Sequence, residues 1–174
     1  LSSRIFLDKF ITKKTNKNKK NKLQELIKKK DLDKCISLMK NEDHEYLKNI
    51  FLCTGRFLKI NSNLDYLCTD SQTSLEVKNI REIAKNLKLD KNDNLNIDFC
   101  EIDEKNYHCG IRFTFFSKNV RGEIASGGRY LIENNKFNET ATGFTCFMDS
   151  IIRASSFENV SKKILIPYNT KENI

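Results

Sequence analysis

The period at which apolar residues recur changes near Asp90, and this change narrows the folds open to the 174-residue chain. Upstream, residues such as Leu47 and Ile50 recur at the spacing of one helix face. Downstream, residues such as Ile97 and Phe99 alternate with polar ones, as on a half-buried strand. Helices followed by neighbouring strands with short connections predict an α+β fold with an antiparallel sheet, not alternating βαβ units.

Two parts of one domain follow from this order. A helical part is expected over residues 1–90 and an antiparallel sheet part over residues 91–174. In the first part, periodicity predicts a long helix over residues 45–59 and a further helix that opens at Ser74. A run rich in Lys and Asn at 13–22 has the composition of a solvated loop.

The sheet part contains short apolar runs with the period of a strand. A helix is expected directly after the run that ends near residue 147, from Asp149 to about residue 157. Connections this short favour antiparallel neighbours. The predicted strands lie at 95–99, 111–115, 123–125 and 143–147, with a further one starting at 164–167.

The net charge of +8 is concentrated in one arm. Residues 1–30 hold Arg4 and ten lysines against Asp8 and Glu25, which is +9, so the rest of the chain is at −1. A nucleic-acid site more often mixes arginines and aromatic residues with the lysines. A solvated surface is therefore the favoured interpretation, and nucleic acid is not expected as a partner, although RNA binding stays open as an alternative.

Six cysteines and two histidines are scattered along the chain without a CxxC pair. A structural zinc site needs clustered thiolates or imidazoles, and a disulfide scaffold is normally small and cysteine-dense. The expectation is therefore reduced thiols in a cytoplasmic protein, with no metal and no cofactor. No apolar run is long enough to cross a bilayer, so no membrane partner is predicted.

The most informative stretch is Ala-Ser-Gly-Gly-Arg-Tyr at 125–130. Two adjacent glycines let a backbone approach a ligand closely or take a positive φ. Arg129 and Tyr130 would then place a fork of donors and an aromatic ring beside that backbone. The alternative is a tight turn between strands, with Arg129 in a surface ion pair. The glycine pair alone does not decide between the two.

Three segments, in this order and at these spacings, resemble the histidine-binding half of the histidyl-tRNA synthetase family. Residues 107–113 resemble its Tyr-Tyr-Thr-Gly-x-x-Phe strand, and residues 127–130 match its Gly-Gly-Arg-Tyr segment. Residues 141–153 stand where the third class II motif, a strand followed by a helix, is found. The resemblance is specific over residues 95–168 and implies a class II aminoacyl-tRNA synthetase-like antiparallel sheet flanked by helices.

The chain departs from that family at positions that face phosphate. Asp103 stands where the family has an arginine that helps to activate histidine. Ser150 stands where the third motif places an arginine against the triphosphate, and Arg153 lies three residues further on. An acid at the first position would repel ATP and the charge that develops on the α-phosphate. Leu131 also replaces the acid that follows Gly-Gly-Arg-Tyr.

This pattern of losses resembles the regulatory subunits of ATP phosphoribosyltransferase, which share the synthetase fold without its charging activity. The resemblance implies a non-catalytic protein that activates the short catalytic subunit in the first step of histidine biosynthesis, mediates histidine feedback and assembles with it into a hetero-oligomer. A histidine-tRNA ligase or an RNA-binding synthetase paralogue is the alternative. No catalytic residue is predicted, and nearby Asp98 and Glu101 could meet an ammonium or imidazole N–H of free histidine. The residues expected to bind this effector are Tyr107, His108, Gly127, Gly128, Arg129 and Tyr130.

Overall fold

The computed structural model describes residues 1–11, 17–89, 93–102, 108–134 and 137–155. Its helices are α1 (Ile5–Ile11), α2 (Lys17–Lys28), α3 (Leu32–Ser37), α4 (Asn41–Leu52), α5 (Phe57–Ile60), α6 (Ser71–Asn86) and α7 (Met148–Ala154), with a 3₁₀ helix at Asn63–Leu67. Its strands are β1 (Ser2–Ser3), β2 (Gly55–Arg56), β3 (Asn96–Ile97), β4 (His108–Phe116), β5 (Glu123–Asn134) and β6 (Phe137–Cys146).

The main sheet has four antiparallel strands in the order β1-β4-β5-β6. The last three form a meander with short connections, so the predicted α+β architecture with an antiparallel sheet is confirmed. The chain's first residues also join this sheet, with Ser2 opposite Arg112 on β4. Periodicity could not predict β1, because a two-residue strand is too short to show a period. A separate small ladder joins β2 to β3, with Gly55 opposite Ile97.

The hydrophobic core lies between the helices and the β1–β4 side of the sheet. The rings of Phe6 and Phe99 meet edge to face with centroids 4.7 Å apart at its centre. Ile111 of β4 packs against the same cluster, which joins the helical layer to the sheet. Further fully buried members come from most of the helices: Leu7, Leu23, Ile27, Leu47, Ile50, Leu64, Leu67, Val77 and Ile80.

The predicted long helix over residues 45–59 is wrong, because the chain breaks it near Gly55. Helix α4 ends at Leu52, and Gly55 has a φ of 148°, which only glycine adopts readily. The chain then forms β2 before the short helix α5. Leu58, which falls within the predicted helix, is consequently 86% exposed.

The predicted loop over residues 13–22 is also wrong for residues 17–22, which form the start of α2; residues 12–16 lie outside the described part of the chain. Lysine is a good helix former, and its long side chain can leave the core for solvent. Leu23 and Ile27, four residues apart, are buried and anchor the helix. Residues 17–22 have the composition of a loop because the fully buried residues of α2, Leu23 and Ile27, lie in its second half.

Helix α6 begins at Ser71, three residues before the predicted start at Ser74, because Asp70 caps it. The Asp70 carboxylate accepts a hydrogen bond from the Thr73 backbone N–H at 2.9 Å. The Thr73 hydroxyl in turn accepts from the Asp70 N–H at 3.1 Å, which completes a capping box. Leu75 is 58% exposed, because Val77 and Ile80 define the buried face of the helix.

Replacing Asp70 with alanine should lower the free energy of unfolding by about 1 kcal/mol, because the Thr73 backbone N–H loses its carboxylate partner. Urea titration would measure the change, and Gln72→Ala, an exposed substitution in the same turn, is the matched control. An equal effect of both substitutions would contradict the role of the cap.

The strands of the meander are longer than predicted. The run at 123–125 is the start of β5, and the run at 143–147 is mostly the end of β6. The run at 95–99 forms a ladder only at Asn96–Ile97, although Phe99 is buried as its pattern indicated. Helix α7 follows β6 closely, as expected, while the predicted strand start at 164–167 lies outside the described residues.

Candidate functional site

Gly127 and Gly128 lie inside β5 and not in a turn. Gly127 is opposite Phe113 on β4 and Phe144 on β6, and Gly128 is likewise paired on both sides. The tight turn that the sequence left open as an alternative is therefore wrong, because β5 is a central strand flanked by a ladder on either side. The chain reverses before β5, where Gly122 has a φ of 93°.

Close packing between the strands explains why both positions are glycine. A Cβ atom on Gly127 would lie 2.5 Å from the Cβ of Phe144 and closer still to the carbonyl oxygen of Gly143. A Cβ atom on Gly128 would lie 2.8 Å from the Cδ2 of His108. Glycine in a strand interior often marks such a close approach by a neighbour.

Four residues share one side of the sheet, which we call the His108 face: His108, Gly128, Tyr130 and Gly143. His108 is opposite Tyr130, and Gly128 is opposite Gly143. The imidazole lies against Gly128, and the phenol ring of Tyr130 lies 3.5 Å from the position of a Cβ on Gly143. The rings of His108 and Tyr130 therefore cover the paired Gly128 and Gly143. Together they form a flat aromatic surface with polar edges.

Arg129 lies on the opposite side of the sheet, because successive side chains of a strand alternate. Its Nη2 donates to the Thr140 hydroxyl at 2.9 Å, and its aliphatic part lies over Gly110. Gly127 and Leu131 share this side. Among the predicted effector residues that the structure describes, Gly127 and Arg129 therefore lie on the opposite side of the sheet from His108, Gly128 and Tyr130, and Leu131 is not on the His108 face.

A buried acid, Glu76 of α6, lies near Arg129. Its Oε1 accepts a hydrogen bond from the Ser3 hydroxyl at 2.5 Å, and the residue is 6% exposed. The pKa of the Glu76 carboxyl is raised above its ordinary value, because burial outweighs the opposing hydrogen bonds from Ser3 and Asn79 and the charge of Arg129.

A shallow cleft with an enclosed volume of only about 10 Å³ borders the His108 face where β1 meets β4. An ion pair lies in it, with the Arg112 Nη1 3.0 Å from the Glu101 Oε1. The Arg112 side chain is 23% exposed and that of Glu101 is 43% exposed. The sequence did not single out Arg112. An arginine between Ile111 and Phe113 in an otherwise apolar strand does indicate a charged side chain on one face of the sheet. The cleft is lined by Ser2, Ser3, Arg4, Glu101, His108, Gly110 and Arg112.

The other residues singled out from the sequence lie elsewhere. Tyr107 and Asp103 are outside the described residues. The Asp98 carboxylate already accepts from Lys30 Nζ at 2.7 Å and from a backbone N–H, so it is engaged in a structural ion pair. Ser150 is half-buried in α7.

All six cysteines are in the described part of the chain, and none forms a disulfide. Burial raises the pKa of the Cys35, Cys53 and Cys100 thiols to about 11, so these thiols stay protonated at neutral pH. Within the described ranges, no three His, Cys, Asp or Glu side chains are grouped as metal ligands would be. No helix in those ranges has the length and apolar character needed to span a bilayer.

A family model described as histidyl-tRNA synthetase matches residues 4–151, which is most of the chain and includes the whole meander. The chain belongs to the histidyl-tRNA synthetase family. Its antiparallel sheet with flanking helices is the class II domain of that family, as the resemblance implied.

Within this family, the chain is similar to curated proteins named ATP phosphoribosyltransferase regulatory subunit. The Rhodospirillum centenum protein is 39% identical over 77 residues, which are 44% of this chain and 19% of that protein. The Clostridium kluyveri protein is 30% identical over 104 residues, or 56% of this chain and 26% of that protein. The Lactococcus lactis protein is 28% identical over 142 residues, or 76% and 41%. The chain thus spans between 19% and 41% of the length of these relatives.

Proposed function

We propose that this chain is part of a regulatory subunit of ATP phosphoribosyltransferase, a cytoplasmic protein that activates the catalytic subunit in the first step of histidine biosynthesis. The observation that carries the proposal is the shared name of relatives that match different lengths of the chain. Arginine loss at Asp103 and Ser150 supports it, because a protein without phosphate-facing cations is poorly suited to adenylation.

Helix α7 supports the loss of adenylation in more detail. Ser150 occupies the position of the third-motif arginine, and its hydroxyl carries no charge. Arg153 is exposed three residues later, which is almost a full turn but about 4.5 Å further along the axis. An arginine displaced that far does not replace one at position 150.

The effector role of the predicted residues is part of the proposal. His108, Gly128 and Tyr130 share a face and a register, so they suit an imidazole that stacks on aromatic rings. Gly127 and Arg129 lie on the other side, where we propose that they support the strand. Tyr107, which adjoins His108 in the sequence, completes the proposed set.

Gel filtration of the full-length protein with the short catalytic phosphoribosyltransferase would test the proposal. We expect the two proteins to co-elute as a hetero-oligomer, and the catalytic rate to rise on mixing. Separate elution with no rise in rate, together with histidine-dependent charging of tRNA, would favour the alternative of a tRNA ligase.

The lysines of α2 are expected to contribute little to this activity, because exposed lysines on a helix surface are usually solvated. The variant with Lys19, Lys20 and Lys22 changed to glutamine should activate the partner within a few-fold of the unchanged protein. A tRNA gel-shift assay at two salt concentrations would check the RNA-binding alternative. A large loss of activation, or a salt-dependent tRNA shift that the variant abolishes, would make the arm a binding site.

A further inference from the structure

We propose that Glu76 is a protonation switch between the helical layer and the sheet. The neutral carboxyl keeps helix α6 docked against strand β1, and the ionised carboxylate loosens this contact. The inference goes beyond the proposed function, because it concerns how two layers of the domain are held together and does not require a catalytic partner.

The side chain of Glu76 lies at the boundary between the two layers. Glu76 is 6% exposed, and Ser3, whose hydroxyl donates to its Oε1 at 2.5 Å, is 2% exposed. Ser3 belongs to β1, the strand at one end of the main sheet, and Glu76 belongs to α6. Val77 and Ile80 of the same helix are buried apolar residues. The hydrogen bond is therefore a polar contact between layers that otherwise pack through apolar side chains.

The surroundings of Glu76 compensate only part of the cost of burying a charge. A buried carboxylate is stable when a cation contacts it or when hydrogen bonds replace its lost hydration. Ser3 and Asn79 supply hydrogen bonds from neutral groups. Arg129 acts on Glu76 through its charge, but it is exposed, and its Nη2 donates to the Thr140 hydroxyl at 2.9 Å. Ionisation therefore weakens the docking of α6.

The charges on the other elements that pack against α6 have partners of their own. These elements are α1, the 3₁₀ helix and β4. On α6 itself, the positions three and four residues from Glu76 are uncharged. His108 of β4 lies on the opposite side of the sheet, against Gly128. The ion pairs near these elements are Arg4–Asp8, Arg81–Asp65 and Arg112–Glu101.

The direction of the pH effect follows from burial. Below the ordinary carboxyl pKa of 4.5, Glu76 is neutral in both the folded and the unfolded chain. Burial raises the pKa in the folded chain, so the folded chain retains the proton to higher pH. The stabilisation of the docked helix is therefore complete below pH 4.5 and is lost as the pH rises through the raised pKa.

Hydrogen exchange of the full-length protein, followed by mass spectrometry from pH 4.5 to neutral pH, tests the switch. The readout is the protection factor of peptides that cover β1 and α6, since it corrects for the intrinsic effect of pH on exchange. We expect protection to fall severalfold or more as the pH rises. Glu76→Gln keeps an acceptor for the Ser3 hydroxyl but cannot ionise, so its protection should stay constant.

Ser3→Ala is a second variant, and it separates the switch from simple packing. It removes a hydrogen bond that favours the ionised form, so the fall in protection should move to higher pH. A loss of packing alone would lower protection equally at every pH. Glu25→Gln is the matched control, because it makes the same chemical change at an exposed ion pair with Lys29 on α2. It should reproduce the profile of the unchanged protein.

Parallel profiles of the unchanged protein and Glu76→Gln would overturn the inference. A fall in protection that Ser3→Ala leaves in place or moves to lower pH would also overturn it, and this variant decides if Glu76→Gln does not fold. Flattening of the profile by Glu25→Gln would assign the pH effect to the whole surface instead. A constant profile for Glu76→Gln and a fall at higher pH for Ser3→Ala would support the switch, whatever the gel filtration with the catalytic subunit shows.

Discussion

Replacing Gly127 with alanine is expected to destabilise the protein by about 3 kcal/mol or more, at the upper end of the range for overpacked positions. The added Cβ would lie 2.5 Å from the Phe144 Cβ and 2.6 Å from its Cα, and closest to the Gly143 carbonyl oxygen. These atoms belong to or adjoin the backbone of β6, so they cannot move away as a flexible side chain would. Thermal unfolding of the purified protein would measure the loss.

Gly143→Ala is the matched control for this substitution. A Cβ on Gly143 would meet only the Tyr130 ring, at an ordinary contact distance of 3.5 Å. We expect a change within about 1 kcal/mol in either direction, since glycine-to-alanine changes at compatible positions restrict the unfolded chain. Equal stability of the two variants would mean that β5 and β6 separate more easily than their register implies.

The full-length protein should show no histidine-dependent exchange between pyrophosphate and ATP. Each missing phosphate-facing cation costs on the order of 3 kcal/mol in the transition state, or about a hundredfold in rate. Two such losses, at Asp103 and Ser150, would together reduce the rate by about ten-thousandfold if their effects add. Isotope exchange with labelled pyrophosphate would measure the rate, which we expect to be no higher than in the absence of histidine.

The double variant Asp103→Arg with Ser150→Arg should recover traces of exchange, because it restores positive charge at both positions. Asp103→Asn with Ser150→Ala removes the native groups without adding charge and should recover nothing. Robust exchange by the unchanged protein would refute the loss of adenylation and support the tRNA ligase.

The type and order of the elements could be predicted from the sequence, because long apolar patterns report the buried face of a helix or strand directly. The meander around residues 111–147 and the helix after it were anticipated for this reason. The break at Gly55 was not, because neighbouring apolar residues continued the helical spacing while one backbone angle ended it. Strand β1 depends on a distant partner, β4, which no local pattern encodes.

The candidate site was predicted less completely than the fold. The resemblance to the family indicated His108, Gly128 and Tyr130 as candidate effector-binding residues. Their common face follows from the alternation of side chains along a strand, once the strands and their register are known. The same alternation removes Arg129 from that face, which could not be deduced from the sequence because the glycine pair was compatible with either a strand or a turn. Arg112 and Glu101 are brought together by tertiary packing between β4 and the segment after β3.

The pairing of β1 with β4 has a consequence for folding kinetics. Ser2 pairs with Arg112, which is far away in the sequence. The hairpins β4–β5 and β5–β6 instead close over short connections. Loop-closure entropy opposes the distant contact, so it forms after local ones have reduced the search. We therefore expect the meander and the individual helices to be early structures. Strand β1 would dock last, so the β4 edge of the sheet would stay unpaired until folding is nearly complete.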